Sequence, residues 1–149
     1  MQYLVAVDGS EESVEALERA IEVAEPVGAS ITLVHAVNPD VYEIGGMEPL
    51  AGPGDADDRL LVESVESAED RGAEILEEAM DVATDHGVDV DADLLYGPPA
   101  EQIVTYAEDH DVDGIYIGHR GMSDRLEGLL GSVAKTVVER ATVPVTVVH

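Results

Sequence analysis

Apolar and polar positions along the chain alternate between two kinds of pattern. Residues 2–7 (QYLVAV) form a short apolar run ending at Asp8-Gly9-Ser10, as a buried strand closed by a turn does. Val14, Leu17, Ile21 and Ala24 then recur at helical spacing and predict a helix with one apolar stripe. Ser10 stands where its N-cap belongs, Glu11 and Glu12 suit the positive end of the helix dipole, and Pro26 and Gly28 close it. Residues 30–37 (SITLVHAV) read as a second strand. A connection over 38–57, with Pro39, Gly45-Gly46, Pro49 and Gly52-Pro53-Gly54, is long for a compact domain and reads as a functional flap or a poorly ordered segment.

Helical spacing returns over 58–86, where Leu61, Val65, Ala68, Ile75, Ala79 and Val82 form the buried side, Gly72 marks a bend and Gly87 is the C-cap. Over 88–96, Val90, Ala92 and Leu94 alternate with Asp89, Asp91 and Asp93, the mark of a half-exposed strand. The remaining elements are a helix over 100–110, a strand over 114–118 (GIYIG), a helix over 132–140 and a strand over 143–148. No internal repeat or linker divides the chain, so 1–149 reads as one domain.

Strands separated by helices predict an α/β fold: a single open five-stranded parallel sheet with helices on both faces, Rossmann-like. Right-handed crossovers favour the strand order 3-2-1-4-5. Strands one and four are then neighbours whose connections leave on opposite faces. Ligands of such sheets bind beyond the carboxyl ends of the strands at that switch point, here between Asp8-Gly9-Ser10 and the segment beginning at Gly118.

Composition narrows the partners. The chain has 33 acidic residues against 7 basic ones, a net charge of -26, and 45% hydrophobic residues. It is apolar enough to fold, yet so negative that nucleic acid and anionic membranes are excluded as partners. Without cysteine there is no disulfide framework, thiolate zinc site or thiol nucleophile. No apolar run approaches membrane-spanning length and no basic leader precedes the first strand, so a cytoplasmic location is expected. Lys135 is the sole lysine, Phe and Trp are missing, and the apolar residues are mostly small. Charge this dense repels itself unless salt screens it, which points to a high-salt cytoplasm and a halophilic source.

One segment departs from the acidity. Between Gly118 and Thr136 there are three basic residues (Arg120, Arg125, Lys135) against two acidic ones (Asp124, Glu127). Gly118 and Gly121 allow a sharp turn and close approach of backbone amides to a ligand. Gly131-Ser132 stands where the next helix begins, and free amides there, with the Ser132 hydroxyl, make an anion site. Each arginine could instead pair with a surface carboxylate. The glycines, the helix start and the switch point together favour phosphate.

These residues resemble the nucleotide-binding subgroup of the universal stress protein family. Its phosphate motif runs Gly, two residues, Gly, nine residues, Gly, then Ser or Thr, and Gly118, Gly121, Gly131 and Ser132 match every position. Val5-Ala6-Val7-Asp8-Gly9-Ser10, Gly97-Pro98-Pro99-Ala100-Glu101 and Val143-Pro144-Val145 extend the resemblance over the whole chain. It implies an adenine nucleotide alpha hydrolase-like fold that binds ATP or another adenine nucleotide, with Mg²⁺ bridging the phosphates. Asp8 would accept from ribose hydroxyls, a role compatible with capping the first helix. Ala36 would present backbone to the adenine edge, Ala6 and Val7 would line the base or ribose pocket, and Gly118 would approach the ribose. Gly121, Gly131, Ser132 and Val133 would hold phosphates. Arg120 joins them on charge alone.

The five histidines show no ligand-like spacing, so a zinc site built by the protein is not expected. His35 is expected to pack at a strand end, whereas His119 lies inside the glycine segment. There is no Gly-x-Ser-x-Gly elbow and no Gly-Lys-Ser/Thr phosphate loop. The strand over 143–148 (VPVTVV) falls at a sheet edge and is too apolar to stand bare, which with the resemblance implies a homodimer through it. The expected function is an ATP-binding stress-response switch or sensor with at most slow hydrolysis. The rivals are a true ATPase or adenylate-transferring enzyme and a nucleotide-free dimeric interaction module.

Overall fold

The computed structural model describes residues 1–37, 54–120 and 130–149, with side chains of the helix that starts at Gly54 described from residue 65 onward. Gly121, Arg125 and the connection over 38–53 lie outside the described residues. The elements are β1 (Gln2–Ala6), α1 (Glu11–Val27), β2 (Ser30–Val37), α2 (Gly54–Asp85), β3 (Val90–Tyr96), α3 (Pro99–Asp109), β4 (Gly114–Gly118), α4 (Ser132–Arg140) and β5 (Val145–Val148).

All pairings are parallel and the order is β3-β2-β1-β4-β5, as expected from the sequence. Period-two alternation sends Val5, Val7, Ile31 and Leu33 to one face, where α1 contributes Leu17 and Ile21 and α2 contributes Leu76 and Ala79. Leu4, Val34, Ile115 and Ile117 point to the other face, where α3 contributes Ile103 and Val104 and α4 contributes Val137. The two crossovers that leave β1 and β4 therefore lie on opposite faces, and a crevice opens between the carboxyl ends of these strands.

Several boundaries differ from the periodicity for identifiable reasons. α1 continues through Pro26 to Val27 and ends at Gly28, whose φ is 68°; the N–H of Ala29 returns to the carbonyl of Ala24 at 3.0 Å. Proline in the last turn removes one amide, and this cap closes the helix regardless. α2 starts at Gly54, four residues before the apolar pattern shows. It also runs unbroken through Gly72. The glycine admits β2 and β3, since a Cβ there would lie 2.8 Å from both the His35 ring and Leu94.

β3 begins at Val90 because the amide of Val88 still bonds to Ala83 and closes α2. β5 begins at Val145 rather than 143, because Pro144 has no N–H and joins the sheet only through its carbonyl, which accepts from Ile115 at 2.9 Å.

Candidate functional site

The candidate site is built from chain ends that meet at the carboxyl edge of β1 and β4. Val7 follows β1 and is 5% exposed, with its side chain in the α1–α2 core. Its amide donates to the carbonyl of Val34 at 2.9 Å, and its carbonyl accepts from His35 Nδ1 at 2.8 Å. Both polar groups of Val7 thus already bind to β2, and this bond fixes His35 as the Nδ1–H tautomer. Ala6 is half-buried on the α3–α4 side, and Ala36 is half-buried on β2 opposite Leu95.

Asp8 does not cap α1 itself; it braces the residue that does. Its Oδ1 accepts from the Ser10 amide at 2.9 Å and from the Ser10 hydroxyl at 2.5 Å. The Ser10 oxygen in turn accepts from the Ser13 amide, and the Ser13 hydroxyl donates to the Ser10 carbonyl at 2.9 Å and accepts from the Asp8 amide. Ser10 and Ser13 are each 4% exposed. A closed hydrogen-bonded ring therefore finishes the amino end of α1.

The other side of the crevice is the strand end Gly118-His119-Arg120. A Cβ on Gly118 would stand 2.8 Å from the carbonyl carbon and Cβ of Glu12, so this glycine lets the first turn of α1 settle on β4. That approach brings Glu12 to Arg120, whose Nε donates to Glu12 Oε1 at 3.0 Å. The Glu12 carboxyl is held below its usual range, first by its own backbone N–H and then by Arg120. His119 turns its ring to β5, stacked on His149 with centroids 4.7 Å apart, and its amide donates to Val148.

The carbonyl of His119 accepts from the Gly131 amide at 2.6 Å, which places the start of α4 beside the end of β4. Gly131 is the N-cap of α4, and among the described residues no side chain bonds its first turn. That turn also carries no acidic residue, whereas α1 has Glu11 and Glu12 and α3 has Glu101. Ser132 is exposed, and with Val133 it borders an open groove against Pro98, Pro99 and Ala100 of α3. Beyond the Gly131 amide, which His119 already holds, the first-turn amides have no side-chain acceptor among the described residues; with the exposed Ser132 and the positive end of the helix dipole, this is the chemistry of an anion site.

Of the residues singled out in the sequence, Ala6, Val7, Asp8, Gly118 and Arg120 converge on the crevice, and Gly131, Ser132 and Val133 frame it at α4. Glu12 was missed. Its place two residues beyond the N-cap of α1 assigned it only to the helix dipole. The adjacency of strands one and four, together with Arg120 two residues past β4, was the signal that joins them.

Residues 1–149 match the sequence model of the universal stress protein family. The chain is 32% identical over 146 residues to the universal stress protein YxiE of Bacillus subtilis, covering 98% of this chain and 97% of the relative. A solved universal stress protein in complex with cAMP superimposes with a TM-score of 0.71 at 26% identity, over 100% of this chain and 97% of the other. The universal stress protein of Archaeoglobus fulgidus in complex with dAMP does so with a TM-score of 0.68 at 27% identity, over 100% and 98%. A match that runs from the first residue to the last, on a fold shared with these solved members, makes the chain a member of the universal stress protein family.

Proposed function

We propose that this protein binds an adenine nucleotide across the carboxyl ends of β1 and β4, with ATP and Mg²⁺ as its working ligand, and that the nucleotide acts as a switch in a stress response. The observation that carries this reading is the amino end of α4: no side chain among the described residues caps it, and no acid occupies its first turn, in a chain with 33 acidic residues. The cAMP and dAMP complexes of its relatives support the adenine assignment. In this reading Ala6, Asp8, Ala36 and Gly118 face the base and ribose. Gly121, Ser132 and Val133 hold the phosphates, with Arg120 as the nearby cation, and Gly131, whose amide already donates to His119, allows close approach by having no side chain. Because both polar groups of Val7 are bonded to β2 and its side chain is in the core, Val7 acts by fixing the backbone on which Asp8 stands.

Among the described residues no group of three or more His, Asp or Glu could hold a metal ion, so Mg²⁺ would be carried mainly by the phosphates. Hydrolysis is expected to be slow, because no base for water is assigned and the His119 ring is engaged by His149 and the Val148 carbonyl. The reading includes a homodimer through 143–148. β5 is a sheet edge, and Val145 and Val147 on it are only half-buried within one copy.

The test is calorimetric titration of ATP with Mg²⁺ in molar KCl, which screens the charge of -26, with light scattering on the same samples. The native chain is expected to bind as a dimer, and Gly131→Val to remain folded and lose at least ~10-fold in affinity as the side chain blocks the amides. A folded native chain that binds no adenine nucleotide overturns the reading, and a monomeric mass overturns the dimer.

A further inference from the structure

The ion pair between Glu12 and Arg120 differs in kind from the surface pair Arg19–Glu22. Arg19 and Glu22 lie one turn apart on α1, with side chains 60% and 68% exposed. Arg120 and Glu12 are 108 residues apart in sequence, with side chains only 25% and 19% exposed. Water and salt screen the second pair less than the first. Its geometry is also enforced, because the missing side chain of Gly118 draws the backbone of Glu12 onto the end of β4. The amino end of α1 keeps the Glu12 carboxyl ionised, so the pair persists at neutral pH.

The consequence is electrostatic. Arg120 is the first cation past β4, and Glu12 offsets its charge. What remains at the start of α4, besides Lys135 one turn in, is a set of amides and a hydroxyl, which give directional bonds and a partial positive charge of about half a unit. Free of metal, a nucleoside triphosphate carries about two more negative charges than the monophosphate, one for each added phosphoryl group. Fixed charges beside the site therefore act more strongly on the triphosphate.

Resting on the nucleotide reading above, we infer that Glu12 is a specificity-determining residue that, by holding and neutralising Arg120, restrains the preference of the site for the more highly charged of two adenine nucleotides. Removing the Glu12 charge frees Arg120 and raises affinity for ATP more than for AMP. Removing Arg120 leaves a bare carboxylate that repels ATP more than AMP.

The experiment is paired titration of ATP and AMP in EDTA, at the lowest KCl concentration at which each chain stays folded so that the charges are least screened, with the native chain, Glu12→Gln, Arg120→Gln and the double variant. The ratio of ATP affinity to AMP affinity is expected to rise about tenfold in Glu12→Gln and to fall below native in Arg120→Gln, with the double variant between the two. If one single variant fails to fold, the other carries the test, because the two shift the ratio in opposite directions. An unchanged ratio in a folded Glu12→Gln that binds both nucleotides overturns the inference and leaves nucleotide binding standing. An equal loss of both nucleotides in that variant, with its unfolding midpoint preserved, makes Glu12 a positioning group and also overturns it. A native chain that binds neither nucleotide overturns the underlying reading instead.

Discussion

α1 and α4 both begin at the carboxyl edge of the sheet, and their first turns are finished in different ways. α1 is closed by its own chain: Ser10 caps it, Asp8 braces Ser10, Ser13 returns a hydroxyl to Ser10, and Glu11 and Glu12 complement the dipole. α4 begins at Gly131 with no side-chain cap among the described residues, no acid in its first turn, and Ser132 and Lys135 exposed. Every helix starts with amides that need acceptors. One start takes a side-chain acceptor from the protein, and the other has none among the described residues. In a chain this acidic, a first turn without carboxylates is the departure on which the proposed nucleotide site rests.

The largest expected effect comes from forcing the two regions apart. Gly118→Ala puts a Cβ 2.8 Å from the carbonyl carbon of Glu12 and 2.9 Å from its oxygen, and this is backbone that cannot rotate away. Overpacking of this kind costs about 2 kcal/mol, read as a lower denaturation midpoint in molar KCl. An unchanged midpoint would mean that α1 is free to slide on β4.

Exchanging the two ends comes next. Ser10→Ala is expected to cost about 1 kcal/mol in denaturant unfolding as the cap and its ring are lost. Gly131→Ser supplies α4 with a cap and is expected to change stability by only a few tenths of a kcal/mol, while nucleotide affinity falls as the serine oxygen competes for the amides. Equal losses of stability in the two variants would erase the contrast.

The smallest effect is the pH dependence of Glu12. Its folded pKa is depressed below 4.5, so the stability it contributes is present above about that pH and is lost as pH falls through the folded value. The stability gap between the native chain and Glu12→Gln should be flat from neutral pH down to that point and narrow below it, followed by circular dichroism. A gap that widens in acid would mean that the carboxyl is not held ionised.

Much of the fold was legible in local patterns. β2, β4 and α4 fall where periodicity put them, at Ser30–Val37, Gly114–Gly118 and Ser132–Arg140, because each combines an unambiguous period with turn residues at its ends. Ser10 as the cap of α1 was equally local. The boundaries that moved did so where single backbone groups decide: the amide of Val88 belongs to the end of α2, and Pro144 has no amide to give β5. Gly131-Ser132 as the start of α4 was legible for the same reason, since turn chemistry lies within a few residues of sequence.

By itself, then, the sequence determined the parallel α/β sheet, its strand order and Gly131-Ser132 as the start of α4. These follow from period, turn residues and the handedness of crossovers, all local or nearly so. Only the tertiary structure decided that Gly118 serves the packing of α1, that Gly72 makes room for His35 and Leu94, and that Glu12 meets Arg120. Such contacts join residues as much as 108 positions apart, and their chemistry appears only when two strand ends and a helix start share one edge.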